Sequence, residues 1–386
     1  MKTRPLGRTG MRVSPYCLGT MMFGPAGNPD PDDCRRILHR ALDSGINFLD
    51  TADVYGGSGE TEKIVGAALA GRRDEVVLAT KFGGPMSDDP NHRGASRRWI
   101  VSAVEGSLRR LGVDHIDLYQ IHHFDPDTGI EETLGALTDL VTSGKVRAIG
   151  SSSFPASDLT EAHWVAQSRG LAPLHTEQPS YSILARGIER EILPVCAKYG
   201  MGVLTWSPLA WGLLTGKYSA GRKTPLSPGR QKWGPRHMTD RDKYAAVEEL
   251  LTVAGDAGLS LTHMALAFVL AHPGVTSAII GPRTMDQLDD LLAGAEHTLG
   301  DDVLDAIDAI APPGADIGVT DVEYRPPAIR TPALRRRPPA ERGILQTSRT
   351  SVGRHGHSPR RGAPHTPRTG DFHTGATRPF PDVRRS

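Results

Sequence analysis

Asn47-Phe48-Leu49-Asp50, Val76-Val77-Leu78-Ala79-Thr80-Lys81 and Ile116-Asp117-Leu118-Tyr119-Gln120-Ile121-His122 are short apolar runs that each close on an ionisable side chain. A helical pattern follows each one. Further runs of strand length close on, or just before, Ser152 (after Val146 to Gly150), Gln178, Trp206 (Gly202 to Trp206) and Gly281 (Ser277 to Gly281), and a first strand is expected at Tyr16 to Thr20. Strands alternating with helices to a count of eight predict an α/β chain folded as a (β/α)8 barrel, whose functional groups gather at the C-terminal ends of the strands.

The first helix shows how plainly the pattern is written. Asp30 can cap it, Pro31 suits its first turn, Cys34, Ile37, Leu38, Ala41 and Leu42 share one face, and Gly45 ends it. Other helices are expected near 96–111, 131–143, 157–168, 187–199, 260–271 and 284–294. Upstream of the first strand, Leu6-Gly7-Arg8-Thr9-Gly10-Met11-Arg12-Val13 reads as a hairpin closing the barrel floor.

Charge divides the chain in two. The net charge is +1, but from Arg325 onward there are 14 Arg against 3 acids, so the tail carries +11 and the body −10. An acidic body argues against a nucleic-acid-binding barrel. The tail, rich in Pro, Arg, Gly, Ser, Thr and His, has too little apolar surface to offset chain entropy and is expected to be disordered. The domain reading is therefore a barrel over 1–324 and a basic disordered tail over 325–386. Cys17, Cys34 and Cys196 have no CxxC spacing and read as buried, inert thiols. No secretory leader or membrane-length apolar run is evident, so a cytoplasmic protein with no membrane partner is expected. Nothing in the sequence fixes the oligomeric state.

Ser207 to Thr239 holds no acid, yet it contains Lys217, Arg222, Lys223, Arg230, Lys232 and Arg236 with Trp211, Tyr218 and Trp233. A cationic, aromatic loop above the seventh strand is placed to grip an anion. On neighbouring strand ends, Asp50, Tyr55, Lys81 and His122 can converge on one spot. Such a set makes an acid from a phenol: a lysine cation favours phenolate, a carboxylate holds that lysine, and a histidine positions a carbonyl. A carbonyl that accepts a proton also needs a hydride on carbon. No metal is expected, because His122 and His123, adjacent on a strand, would point to opposite faces.

These residues carry a resemblance. Leu6-Gly7-Arg8-Thr9-Gly10, Leu18-Gly19-Thr20-Met21, Asn47 through Gly56 (NFLDTADVYG), Thr80-Lys81, Gln120-Ile121-His122, Gly144 through Gly150 (GKVRAIG) and Ile279 through Thr284 (IIGPRT) resemble the aldo-keto reductases of the bacterial kind, which are also similar to potassium-channel β subunits. The likeness covers about residues 1 to 340, in order. It implies Asp50, Tyr55, Lys81 and His122 as a catalytic tetrad, Tyr55 as the acid and NADPH (NADP+) as cofactor. It implies that Ser152, Ser153 and Gln178 hold the nicotinamide carboxamide and that Trp206 stacks on that ring. By the same likeness Ser207, Leu209, Gly212 and Lys217 face the pyrophosphate, and Gly281, Arg283, Gln287 and Asp290 the adenosine end. The expected activity is reversible, NADPH-dependent reduction of a small aldehyde or ketone. The competing reading is a nucleotide-sensing regulatory subunit that binds a partner and turns over little.

Overall fold

The computed structural model describes residues 1–218, 236–321 and 324–338. Met1–Arg325 form one compact unit. A two-stranded antiparallel sheet, β1 (Arg4–Pro5) with β2 (Arg12–Val13), comes first in the chain, as expected. The centre of the unit is a closed barrel of eight parallel strands: β3 (Tyr16–Gly19), β4 (Phe48–Asp50), β5 (Val77–Phe82), β6 (Ile116–Ile121), β7 (Val146–Ser152), β8 (Thr176–Gln178), β9 (Gly202–Thr205) and β10 (Ser277–Ile280). They pair in sequence order, and β10 closes on β3 through Ala278↔Tyr16.

Inside the barrel, Cys17, Phe48, Ala79, Leu118, Ala148 and Leu204 form a small apolar cluster with Leu6 and Val13 of the hairpin. Side chains alternate along a strand, so the residue two further on shares the inward direction. Two places beyond Phe48, Ala79 and Leu118 stand Asp50, Lys81 and Gln120. Parity alone therefore carries the apolar plug upward into a polar layer. The larger core lies outside the strands, against the helices.

Helix α1 (Pro31–Asp43) forms as read: the Asp30 side chain accepts from the backbone of Asp32 and Asp33, and Cys34, Ile37, Leu38, Ala41 and Leu42 are buried. After it come α2 (Tyr55–Ser58), α3 (Glu60–Ala68), α4 (Arg97–Leu111), α5 (Ile130–Thr142) and α6 (Ala156–Arg169). The single helix expected over 187–199 is instead a 3-10 turn at Gly187–Glu189 followed by α7 (Ile192–Tyr199), because the chain turns there to bond Asp316 and Gly314. Two helices escaped the pattern, α8 (Arg241–Asp256) and α11 (Asp301–Ile310), beside α9 (Leu261–Ala271) and α10 (Met285–Ala293). Both are extra to the repeating unit. Of the second compact unit, which begins at Pro326, the described part is a helical turn at Pro327–Arg330 and a 3-10 turn at Pro332–Leu334. The remainder of the expected tail lies outside the described residues, as do Arg222, Lys223, Arg230, Lys232 and Trp233 of the cationic loop.

Among the described residues no single helix is long and apolar enough to cross a membrane. Cys17, Cys34 and Cys196 are buried and form no disulfide, and burial pushes all three thiols up, Cys34 to about 11.

Candidate active site

Asp50 ends β4, Lys81 is the next-to-last residue of β5, and their inward parity brings them together. Lys81 Nζ lies 2.5 Å from Asp50 Oδ2, 3.0 Å from the Thr51 carbonyl and 3.2 Å from the Tyr55 hydroxyl. Lys81 is fully buried. Burial works to lower its pKa, but attraction to Asp50 and then Tyr55 outweighs that, so it is raised and the ammonium persists. Tyr55 opens the short α2, directly before Gly56 and Gly57, which both take positive φ. A Cβ on Gly56 would stand 2.8 Å from Thr61 Oγ1, so only glycine lets the chain turn back at once and leave the phenol over Lys81.

His122 follows the last residue of β6. Its ring meets the Tyr55 ring edge-on at 5.7 Å between centroids. Burial, then the neighbouring His123 and Lys81, holds its pKa well below the usual histidine range, so the imidazole is neutral. Contrary to the strand alternation expected from the sequence, His122 and His123 do not point to opposite faces but stack at 4.3 Å, 8° from parallel. Regular alternation stops at Ile121, and both residues belong to the loop. Among the described residues there is still no cluster of His, Cys, Asp or Glu able to hold a metal.

A cavity of about 300 Å³ is lined by Asp50, Tyr55, His122, Ser152, Gln178 and Trp206, with Met21, Trp211, Arg236 and Asp321. Lys81 lies behind this wall. Ser152 Oγ donates to the Gln178 carbonyl at 2.9 Å, and Gln178 Nε2 donates to Asp50 Oδ1 at 2.9 Å. Ser153 stands apart from the cavity: its hydroxyl is enclosed, in a backbone of φ 56°. Gln120 is not among the site residues expected from the sequence, yet its amide donates to Asp50 Oδ1 at 3.2 Å and its carbonyl accepts from Gln178. The signal for it was available, since it shares the inward parity of Asp50 and Lys81.

A second cavity, of about 190 Å³, shares Ser207, Trp211, Ile279 and Gly281 with the first and gathers Leu209, Gly212, Lys217, Arg283, Gln287 and Asp290. Two cations face one exposed acid there. Its floor is fixed locally: Arg283 donates its backbone N–H to Gln287 Oε1 at 2.8 Å, Asn28 Nδ2 donates to the Arg283 carbonyl at 3.0 Å, and Thr284 caps α10. The groove thus offers cationic and amide donors beside a helix N-terminus, a donor set that suits phosphate groups.

The family model for the aldo/keto reductase family matches residues 15–312. The chain belongs to that family. It is 42% identical over 322 residues to an uncharacterized oxidoreductase, YrpG, of Bacillus subtilis, covering 81% of this chain and 96% of that protein. It is 37% identical to the aldo-keto reductase YhdN of the same organism over 75% of this chain and 88% of that protein. A probable voltage-gated potassium channel subunit beta of Oryza sativa subsp. japonica is 35% identical over 80% of this chain and 96% of that protein. Membership and these relatives make this chain an oxidoreductase of the aldo-keto reductase family. Sequence reading placed Trp211 and Arg236 in the cationic, aromatic loop but missed Asp321, which meets both in the lining of the first cavity. Ser207, Ala210 and Trp211 all take positive φ, with Trp211 at 61°. Each such residue costs on the order of 1 to 3 kcal/mol and persists only where its surroundings over-determine it.

Proposed function

We propose that this aldo-keto reductase catalyses the reversible reduction of a small aldehyde or ketone with NADPH, with Tyr55 as general acid. The observation that carries the reading is the buried chain Asp50–Lys81–Tyr55 opening, beside a neutral His122, into a cavity continuous with the cationic groove. NADPH, when bound, supplies the hydride.

The chain's own residues do the rest. Tyr55 gives its proton to the carbonyl oxygen as that oxygen gains charge, and Lys81 steadies the phenolate left behind. Asp50 keeps Lys81 charged and in place, with Gln120 and Gln178 bonded to its second oxygen. His122, neutral and therefore able to donate one hydrogen bond, holds the carbonyl oxygen near Tyr55. Ser152 and Gln178 are assigned to the carboxamide and Trp206 to the face of the nicotinamide ring; Ser153, its hydroxyl enclosed away from the cavity, drops out of that set. Ser207, Leu209, Gly212 and Lys217 are assigned to the pyrophosphate, and Gly281, Arg283, Gln287 and Asp290 to the adenosine end. Arg283 is the residue suited to a 2′-phosphate. The working unit is residues 1–324 and 325–386 are an appended segment; the setting is cytoplasmic, with no nucleic-acid or membrane partner.

A panel of aldehydes and ketones, followed by loss of NADPH absorbance, tests this. Turnover of at least one class is expected. Tight NADPH binding without turnover of any carbonyl would refute it in favour of a nucleotide-sensing subunit.

A further inference from the structure

Trp211 lines both cavities, and so stands where the carbonyl end of the site meets the cationic groove. Its backbone is held locally: Trp211 N–H donates to Ser207 Oγ at 3.2 Å, and Gly212 N–H donates to the Leu209 carbonyl at 2.9 Å. The restraints on its ring come from far along the chain. Trp211 Nε1 donates to Asp321 Oδ2 at 2.5 Å, and the indole stacks on His237 at 5.5 Å, 15° from parallel. His237 Nε2 meets Asp321 Oδ1 at 2.6 Å, and Arg236 donates to the same oxygen at 3.2 Å. Lys243 Nζ lies 2.8 Å from His237 Nδ1; as donor it leaves the histidine proton on Nε2, the nitrogen that faces Asp321.

One carboxylate, 12% exposed, thus collects three donors from two separate segments. The stretch bearing it is itself fastened down. Val319 N–H donates to Asp240 Oδ2, Ile317 N–H to the Leu184 carbonyl, and Gly187 N–H to Asp316 Oδ1. An incidental surface ion pair would be solvated; here Arg236 is half exposed, but His237 and Asp321 are enclosed, and the same carboxylate reaches a strained residue of the cavity that Tyr55 also lines.

We propose that Asp321 is a positioning residue that sets the size of the carbonyl pocket by holding Trp211 in place. Its part in specificity rests on the carbonyl-reductase reading; its hold on Trp211 does not. Two measurements separate them. Amide hydrogen exchange on the full chain without cofactor should show protection across 209–216 falling by more than about tenfold in Asp321→Ala, and by less in Asp321→Asn, which keeps an acceptor oxygen. Unchanged exchange in both variants overturns the inference. In the second arm, the ratio of kcat/KM for a bulky aryl ketone to that for a small aldehyde should shift by about tenfold in Asp321→Ala and in Trp211→Phe. The double variant should shift no further, because both break one contact. Additive shifts, or none, refute the role in specificity. Should the wild type reduce no carbonyl, the proposed function fails while the exchange arm still decides whether Asp321 holds Trp211.

Discussion

Replacing Lys81 by Met should separate what the buried pair does for the fold from what it does for chemistry. The substitution keeps an unbranched side chain of similar length but removes a fully buried ammonium bonded to Asp50, Thr51 and Tyr55. Breaking a buried pair from one side typically costs about 3 to 5 kcal/mol, since the other charge is left uncompensated. Here the low end applies, because Gln120 and Gln178 still donate to Asp50 Oδ1. A barrel of this size has an unfolding entropy of about 0.67 kcal/mol per kelvin, so roughly 3 kcal/mol lowers Tm by about 4 to 5 °C. The rate should fall further than stability suggests, by about 10² to 10⁴ in kcat, as the phenol loses the cation beside it that steadies the phenolate. Adding Asp50→Asn should then restore most of the Tm, as replacing both charges is near neutral, and none of the rate. Scanning calorimetry and NADPH-linked turnover on the single and double variants provide the assay. A Lys81→Met enzyme within about threefold of wild-type kcat, or a double variant that regains activity with stability, would refute the reasoning.

Tyr55→Phe keeps the ring beside His122 but loses the proton, so kcat should fall by about 10² to 10⁴ with cofactor affinity nearly unchanged; equal rates would remove Tyr55 from its role. Arg283→Ala should weaken NADPH binding by about 10- to 150-fold and NADH binding little, the loss of a charge-assisted contact of roughly 1.5 to 3 kcal/mol; titration of both cofactors decides it, and equal losses would place the 2′-phosphate elsewhere. Burial, then the Glu62 charge, pushes Asp53 up to about 8. The folded state therefore holds this proton where the unfolded chain releases it, and Asp53 costs stability as pH rises from about 4 to 8. Asp53→Asn should accordingly gain in Tm relative to wild type as pH goes from about 5 to 8, and a gap independent of pH would contradict the shift. His163 is the opposite case: burial holds its pKa at about 4, so the unfolded chain binds the proton first and stability is lost as pH falls from about 6.5 toward 4. In His163→Gln that acid loss, measured by urea unfolding, should shrink, and an unchanged slope would show that His163 titrates alike in both states.

The barrel and its chemical layer were legible because both are written in short-range patterns. Alternation along β4, β5 and β6 sets Asp50, Lys81 and Gln120 inward, and the eightfold βα rhythm fixes which strands are neighbours, so this inward polar layer follows from sequence order. Asp30, Pro31 and the apolar stripe of α1 are similarly local, and the caps form as written. What sequence could not supply lies wherever the regular geometry stops. Past Ile121 the alternation ends, and His122 and His123 stack instead of diverging. Helices α8 and α11 interrupt the repeat, so periodicity counted to eight gave no place for them. The cluster around Trp211 is less local still: Trp211, His237 and Asp321 are brought together across 110 residues between Trp211 and Asp321. A residue's parity is a property of its neighbours in sequence, whereas the partners of the Asp321 carboxylate are set by where the 312–321 segment packs, and only the folded barrel decides that.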